Sequence, residues 1–258
     1  MLRMVYLMHR AQSLSRASFQ AYLRDDYART LVFRAKDLGI ARCLQSYTMD
    51  DPLNEELQKT RGTLEPYDGV GEFWWDSKDT LAQALTSNEG MKALREICES
   101  GLSFLDSTRS SLWLAFDIPQ INPLPENVVA RKESPTIKLI YPLRRLTSLP
   151  KDEAQLYWRM QHGPIVRRYG LALGVLRYIQ VHRFEDPLEE GLRKIFGVEE
   201  EPFDGHAELW WDRTSLLAAL NTQEGQEAFQ ALIEDESRFI DFSRSCLWFS
   251  KEWVLFER

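Results

Sequence analysis

The sequence predicts an α+β protein in which one βαββαβ unit is written twice. Three observations carry this: the chain repeats itself at a nearly constant offset, each repeat runs through strand-like and helix-like segments in the same order, and a proline-bearing stretch separates the two. Asp51-Pro52-Leu53 returns 135 residues later as Asp186-Pro187-Leu188. Tyr67-Asp68-Gly69 and Trp74-Trp75-Asp76 return 136 residues later as Phe203-Asp204-Gly205 and Trp210-Trp211-Asp212. Phe104-Leu105-Asp106 and Leu112-Trp113 then match Phe239-Ile240-Asp241 and Leu247-Trp248 at 135 again, so one residue is gained before the Asp-Gly and one lost in the following helix. Tyr6, Arg10 and Gln45 keep the same register with Tyr141, Arg145 and Gln180. A repeat of this length is a duplicated structural unit.

The elements follow from periodicity. Residues 3–8 and 137–143 alternate and are rich in Val, Ile, Tyr and Leu, which predicts a first strand in each copy. Residues 14–38 and 149–173 have helical spacing. Residues 42–48 and 176–182 read as second strands, followed by long excursions over 50–66 and 185–202. Third strands fall at 70–75 and 206–211, helical pieces at 78–85, 89–105, 215–220 and 224–240, and last strands at 111–116 and 246–250. This is the split βαβ plan of a ferredoxin-like domain. Residues 118–136 carry Pro119, Pro123, Pro125 and Pro135 with little periodicity and read as a linker. The boundaries are therefore 1–117 for the first domain and 137–258 for the second.

The third strands are apolar on both faces: Phe73 and Trp75 alternate with Trp74, and Leu209 and Trp211 with Trp210. A sheet with helices on one side and aromatic residues on the other cannot leave that second side wet. The two antiparallel sheets are expected to pack together, giving a pseudo-dimeric α/β barrel within one chain. Each tryptophan pair sends one indole to either side, and each buried indole N–H needs a partner.

Composition excludes several function classes. Lys and Arg total 32 against 39 Asp and Glu, a formal charge of −7 that speaks against a nucleic-acid footprint. Cys43, Cys98 and Cys246 are widely spaced and odd in number, which suits buried thiols in a reducing cytoplasm. No apolar run reaches the roughly 20 residues a bilayer requires, and no membrane partner is expected. Phosphate-cradling, dinucleotide-binding and nucleophile-elbow motifs are missing.

His162-Gly163-Pro164 late in the first helix of the second copy, Tyr178 and Gln180 on the next strand, Asp204-Gly205 before the Trp-rich strand, and Phe239-Ile240-Asp241 closing the last helix together resemble the EthD domain. The first copy departs from it, with Tyr27-Ala28-Arg29 where the histidine motif stands. The resemblance implies a member of the dimeric α/β-barrel group. It associates the chain with ether degradation and aromatic polyketide tailoring, and with relatives that include cofactor-free monooxygenases, cyclases, lactone isomerases and haem enzymes.

Three of the four histidines lie in the second copy, at His162, His182 and His206. Alternation puts Tyr178, Gln180 and His182 on one face of their strand and His206, Glu208 and Trp210 on one face of the next. Both sets are expected on the same side of the sheet, with Gln45, Tyr47, Glu72 and Trp74 their counterparts beside Cys43 in the first copy. In the catalytic reading, His162 or His182 is the general acid or base, because imidazole titrates near neutrality. Tyr178 and Gln180 bind the substrate oxygen, Glu208 orients the imidazole, and Trp210 walls the site. In the structural reading, the paired Gln and Glu residues satisfy one another across the sheet interface. A facial iron site from His206, Glu208 and His182 is the weaker reading, and neither metal nor cofactor is expected.

The partner expected is a small hydrophobic or aromatic metabolite. Three functions stay open: a cofactor-independent enzyme working by proton transfer (cyclase, isomerase or decarboxylase), a non-catalytic binding protein, or a cofactor-free monooxygenase. Further association of whole chains is also open.

Overall fold

A computed structural model describes residues 1–123 and 128–258; Pro125 lies outside the described residues. Eight strands form one closed barrel: β1 (Leu2–Arg10), β2 (Arg42–Thr48), β3 (Gly69–Trp75), β4 (Leu105–Ile121), β5 (Thr136–Leu143), β6 (Arg177–Arg183), β7 (Gly205–Asp212) and β8 (Trp248–Glu257). Around the barrel they run β1-β3-β2-β8-β5-β7-β6-β4 and back to β1, all neighbours antiparallel. The two copies thus meet edge to edge. At one seam β2 pairs with β8 from Arg42↔Glu257 to Thr48↔Ser250, and at the other β4 pairs with β6 from Ala115↔Arg183 to Ile121↔Tyr178. Closing the sheet this way removes every unpaired edge that a lone four-stranded unit would expose.

The last strands are longer than their apolar alternation predicts. β4 runs on through Asp117, Ile118 and Pro119 to Ile121, into the stretch read as linker. Hydrophobic patterning ends at Phe116, whereas the seam continues past it through backbone pairing that side-chain type does not announce.

Helices cover the outside. The first long helix of each copy is interrupted by a wider π turn. In the first copy α1 (Arg16–Tyr22) passes through a π turn at Leu23–Tyr27 into α2 (Ala28–Arg34). Further helices are α3 (Pro52–Arg61), α4 (Lys78–Thr86) and α5 (Asn88–Gly101). In the second copy α6 (Lys151–Tyr157) passes through Trp158–His162 into α7 (Gly163–Tyr169), followed by α8 (Pro187–Phe196), α9 (Arg213–Leu220) and α10 (Gln223–Glu236). The His162-Gly163-Pro164 segment therefore shifts the helix phase without breaking it. Proline alone is not the cause, because the first copy makes the same turn with no proline there.

The long excursions, to which the sequence reading assigned no element, contain α3 and α8. Each begins with an aspartate cap and a first-turn proline (Asp51-Pro52, Asp186-Pro187) and ends on a left-handed glycine, Gly62 or Gly197. Each also crosses to the other copy. Leu53 and Leu57 of α3 pack on the core of the second copy, while Leu192 and Phe196 of α8 are buried in the core of the first.

Three hydrophobic clusters result: one under the helices of each copy, and a third inside the barrel built from both, with Val5, Val70, Trp113, Ile140, Ile179, Trp210 and Trp248. One end of the barrel interior is ionic. Arg3 pairs with Glu72 and, across the copies, with Glu208; Asp117 accepts from Arg3 at 2.9 Å. Lys138, the counterpart of Arg3, lies 3.1 Å from Glu72, 2.7 Å from Glu208 and 3.2 Å from Glu252. Buried charges are tolerated only when paired in this way. Lys138→Met strands three carboxylates around an apolar side chain and is expected to cost about 3–5 kcal/mol. Denaturant unfolding at neutral pH measures this loss; a change below about 1 kcal/mol contradicts the pairing described.

Candidate active site

The pairing register separates the two sets of polar residues that the sequence placed on one face. Glu208 stands opposite Ile179 and His206 opposite Val181, whereas Tyr178, Gln180 and His182 stand opposite Leu209, Ala207 and Gly205. Residues directly opposite share a face. His206, Glu208 and Trp210 therefore point into the barrel, and Tyr178, Gln180 and His182 point under the helices. The first copy divides likewise, with Glu72 and Trp74 inside and Gln45 and Tyr47 outside. The expectation of a common face is corrected, and with it the pairing of Glu208 with His162 or His182. The predicted Gln–Glu satisfaction across the interface falls for the same reason. Alternation assigns two faces to each strand but does not say how neighbouring strands are phased.

Inside the barrel, Trp74 Nε1 donates to Asp117 at 3.2 Å and Trp210 Nε1 to Glu252 at 2.8 Å. His206 Nε2 lies 3.2 Å from Glu208 and 3.9 Å from Glu72. Burial raises the Glu208 carboxyl, but Arg3 and Lys138 outweigh it and hold the group well below the usual carboxylate range. Glu72, His206 and Glu208 are close enough together to bind a metal. The donor set does not suit one, because the Arg3 guanidinium and Lys138 ammonium already fill the space between these carboxylates.

Under the helices the second copy encloses an apolar cavity of about 140 Å³. Leu139, Leu209, Trp211, Phe229, Leu232 and Phe249 form most of its wall. His162, brought inward by the π turn, lines it together with Tyr141 and Tyr178. His162 Nδ1 lies 2.8 Å from Asp235 Oδ2, and Tyr157 donates to the other oxygen of Asp235 at 2.6 Å. Burial tends to raise Asp235, but the hydrogen bonds from His162 and Tyr157 prevail and lower it. An ionised Asp235 only accepts, so Nδ1 carries a hydrogen and Nε2 is the nitrogen left to exchange a proton. Among the described residues Nε2 has no hydrogen-bond partner.

Tyr178 accepts from Trp158 Nε1 at 3.2 Å and from Gln180 Nε2 at 3.0 Å, which leaves its own O–H to donate. Burial raises both the Tyr178 and the Tyr141 phenol, so both stay protonated. Gln180 stands behind Tyr178 and does not reach the cavity; its oxygen accepts from Gln120 and faces His182 Nε2 at 3.1 Å. His182 is likewise off the cavity, stacked on Trp158 with ring centroids 4.3 Å apart. In the first copy Tyr47 donates to Gln45. Tyr27 takes the place of His162 there, packed edge-on against Phe104.

Sequence reasoning missed Asp235, Tyr141 and Arg61. Asp235 sits on α10 facing the π turn, a juxtaposition that only tertiary packing creates. Tyr141 was visible solely as a repeat marker. Arg61 belongs to a helix in the unassigned excursion, and it lines the cavity from the opposite copy.

Fold and site together define a fused dimeric α/β barrel: two ferredoxin-like units joined in one chain, with a histidine–aspartate pair beside an apolar cavity in the second. The chain belongs to the EthD family, since the EthD domain model matches residues 11–99 and 146–243. No curated protein matches it. Among solved structures it is similar to an anthrone oxidase-like protein, at 12% identity and TM-score 0.59, covering 99% of this chain and 94% of that one. A putative monooxygenase from Lactobacillus acidophilus NCFM aligns at 8% identity and TM-score 0.45, covering 97% and 92%. Among the described residues no helix is long and apolar enough to cross a membrane.

The two buried strand histidines make stability depend on pH. Burial lowers His182 to about 4, helped by Arg159, and lowers His206 to about 4 against the pull of Glu208. Each folded-state value lies below the unfolded one, so between pH 6.5 and 4 the unfolded chain binds more protons. Stability is complete above pH 6.5 and falls with acidification by up to about 1.4 kcal/mol per pH unit for each histidine. Denaturant unfolding across this range is expected to show a shallower slope for His182→Gln; an unchanged slope contradicts the assignment.

Proposed function

We propose that the second copy is a proton-transfer enzyme, and that its substrate is a small apolar or aromatic carbon acid or phenol held in the cavity under its helices. The observation that carries this is the His162–Asp235 pair on the wall of an otherwise apolar cavity. A neutral imidazole oriented by a carboxylate is suited to take a proton at Nε2 and return it elsewhere. The ionised Asp235 stabilises the imidazolium formed on the way. Tyr178, fixed as a donor by Trp158 and Gln180, supports the substrate oxygen as charge develops there. Exclusion of water strengthens these interactions and limits the ligand to about one aromatic ring, since a cavity near 150 Å³ accommodates benzene. Isomerisation, cyclisation and decarboxylation all begin or end with such a transfer. Of the two candidate bases, His162 is preferred to His182 because it borders the cavity.

Deuterium exchange tests this without knowledge of the full reaction. Single-ring aromatic ketones and phenols are incubated with the protein in deuterated water and followed by NMR. The native protein is expected to catalyse exchange at an acidic C–H. His162→Ala is expected to slow it about 10²–10⁴-fold with unchanged circular dichroism, the range general-base removal gives. Binding with no exchange by any compound supports a binding protein instead, and oxygen uptake without added cofactor supports a monooxygenase.

A further inference from the structure

Glu65-Pro66-Tyr67-Asp68-Gly69 returns as Glu201-Pro202-Phe203-Asp204-Gly205, and in the second copy this segment holds a guanidinium. Arg144 Nη1 donates to Glu201 Oε2 at 3.1 Å and to the Pro202 carbonyl at 3.0 Å, and Nη2 donates to the Glu201 carbonyl at 2.7 Å. Its Cζ lies 4.4 Å from the centre of the Phe203 ring. Two nitrogens of one planar fork thus serve three acceptors that converge on a single corner.

The first copy keeps the corner and loses the cation. His9 stands where the repeat has Arg144. Its imidazole covers Tyr67 as the guanidinium covers Phe203, with ring centroids 4.2 Å apart, and its Nδ1 turns to Asp68 at 3.5 Å. Among the described residues no group donates to the Glu65 carboxylate, the Glu65 carbonyl or the Pro66 carbonyl. Arg109 is the counterpart of Arg244, which lies 3.4 Å from Glu201, yet among the described residues it forms no ion pair with Glu65. The other cations nearby are engaged: Arg10 pairs with Asp68, and Arg16 with Asp68 at 3.1 Å and Asp50 at 2.6 Å. In front of the corner the shorter side chain leaves a polar cleft of about 640 Å³, whose wall includes Asn54, Glu55 and Gln58 of α3. Glu55 adds a second carboxylate without an ion pair among the described residues, so the cleft favours a cationic guest.

We infer that the Glu65–Pro66 corner of the first copy is a binding site for a guanidinium group from outside the chain, in the seat that Arg144 fills for itself in the second copy. The guest is a monosubstituted guanidine; a free guanidino compound and an arginine side chain of another molecule offer the same fork. Its two terminal nitrogens meet the Glu65 carboxylate and the two carbonyls. A simple ammonium has the charge but a single nitrogen, and a urea has two amide donors without the charge. The site is separate from the second-copy cavity. α3 stands between them, with Leu53 and Leu57 on the apolar cavity and Asn54 and Gln58 on the polar cleft.

Ligand-observed NMR on the full chain, with ethylguanidinium, ethylammonium and N-ethylurea as probes, tests the inference. The native protein is expected to bind ethylguanidinium about tenfold tighter than N-ethylurea, because hydrogen bonds from a charged donor are roughly twice as strong as neutral ones. Ethylammonium, which cannot span the three acceptors, is expected to bind more weakly as well. Glu65→Gln is expected to lower ethylguanidinium affinity several-fold. His9→Arg rebuilds the arrangement of the second copy and is expected to abolish binding. No binding of ethylguanidinium, equal affinity for the urea or the ammonium, or binding that survives His9→Arg overturns the inference. Should His9→Arg not fold, Glu65→Gln decides, and unchanged affinity there overturns it. An acetylated and amidated Gly-Arg-Gly peptide that displaces ethylguanidinium supports an arginine side chain as the guest; failure to displace it supports a free guanidino compound in the same seat. His162→Ala is expected to leave ethylguanidinium binding unchanged, so this site and the catalytic reading stand or fall separately.

Discussion

The structure depends on a buried charge network that the two copies share. Arg3 of the first copy reaches Glu208 of the second, and Lys138 of the second reaches Glu72 of the first, all four buried inside the barrel. Desolvating four charged groups is costly unless each is paired, and the pairs Arg3–Glu208 and Lys138–Glu72 add cross-copy partners to those each copy has of its own. The backbone imposes a related condition, because the outer edges of β2 and β6 are paired by β8 and β4 of the opposite copy. Charge pairing and strand pairing thus enforce a single shared core.

With that core shared, the copies are free to diverge under their helices. The first is filled: Phe19, Tyr27, Phe104 and Phe196 pack where the second keeps a cavity. Each buried aromatic side chain of this kind contributes about 1.5–3 kcal/mol, so filling one copy helps offset the empty space of the other. Position for position, Tyr27 stands for His162, Ser100 for Asp235 and Phe196 for Arg61. Function of this kind needs room and unsatisfied polar groups, and stability needs neither.

Much of the fold was legible because duplication announces itself. Tyr6 against Tyr141 and Trp74-Trp75 against Trp210-Trp211 set the register, and alternation in residues 3–8 and 137–143 located the first strands. α3 and α8 were not read from the sequence, although Asp-Pro starts and Gly62 and Gly197 stops mark them, and their exchange between copies is a tertiary fact. The ends of β4 and β8 were obscure because edge pairing is made by backbone. The site was half legible. His162 and Tyr178 stood out as residue types, whereas phasing of β6 against β7 could not be read from either strand alone, and it sent His182 and Glu208 to opposite faces. Asp235 and Arg61 carry no local signal, since one looks like an exposed helix acid and the other like a helix-end base.

The central claim is that the two copies form one cooperative structure. Differential scanning calorimetry of the whole chain tests it directly. A shared core predicts a single transition whose van't Hoff enthalpy equals the calorimetric enthalpy for all 258 residues. Two resolved transitions, each carrying about half the heat, contradict it.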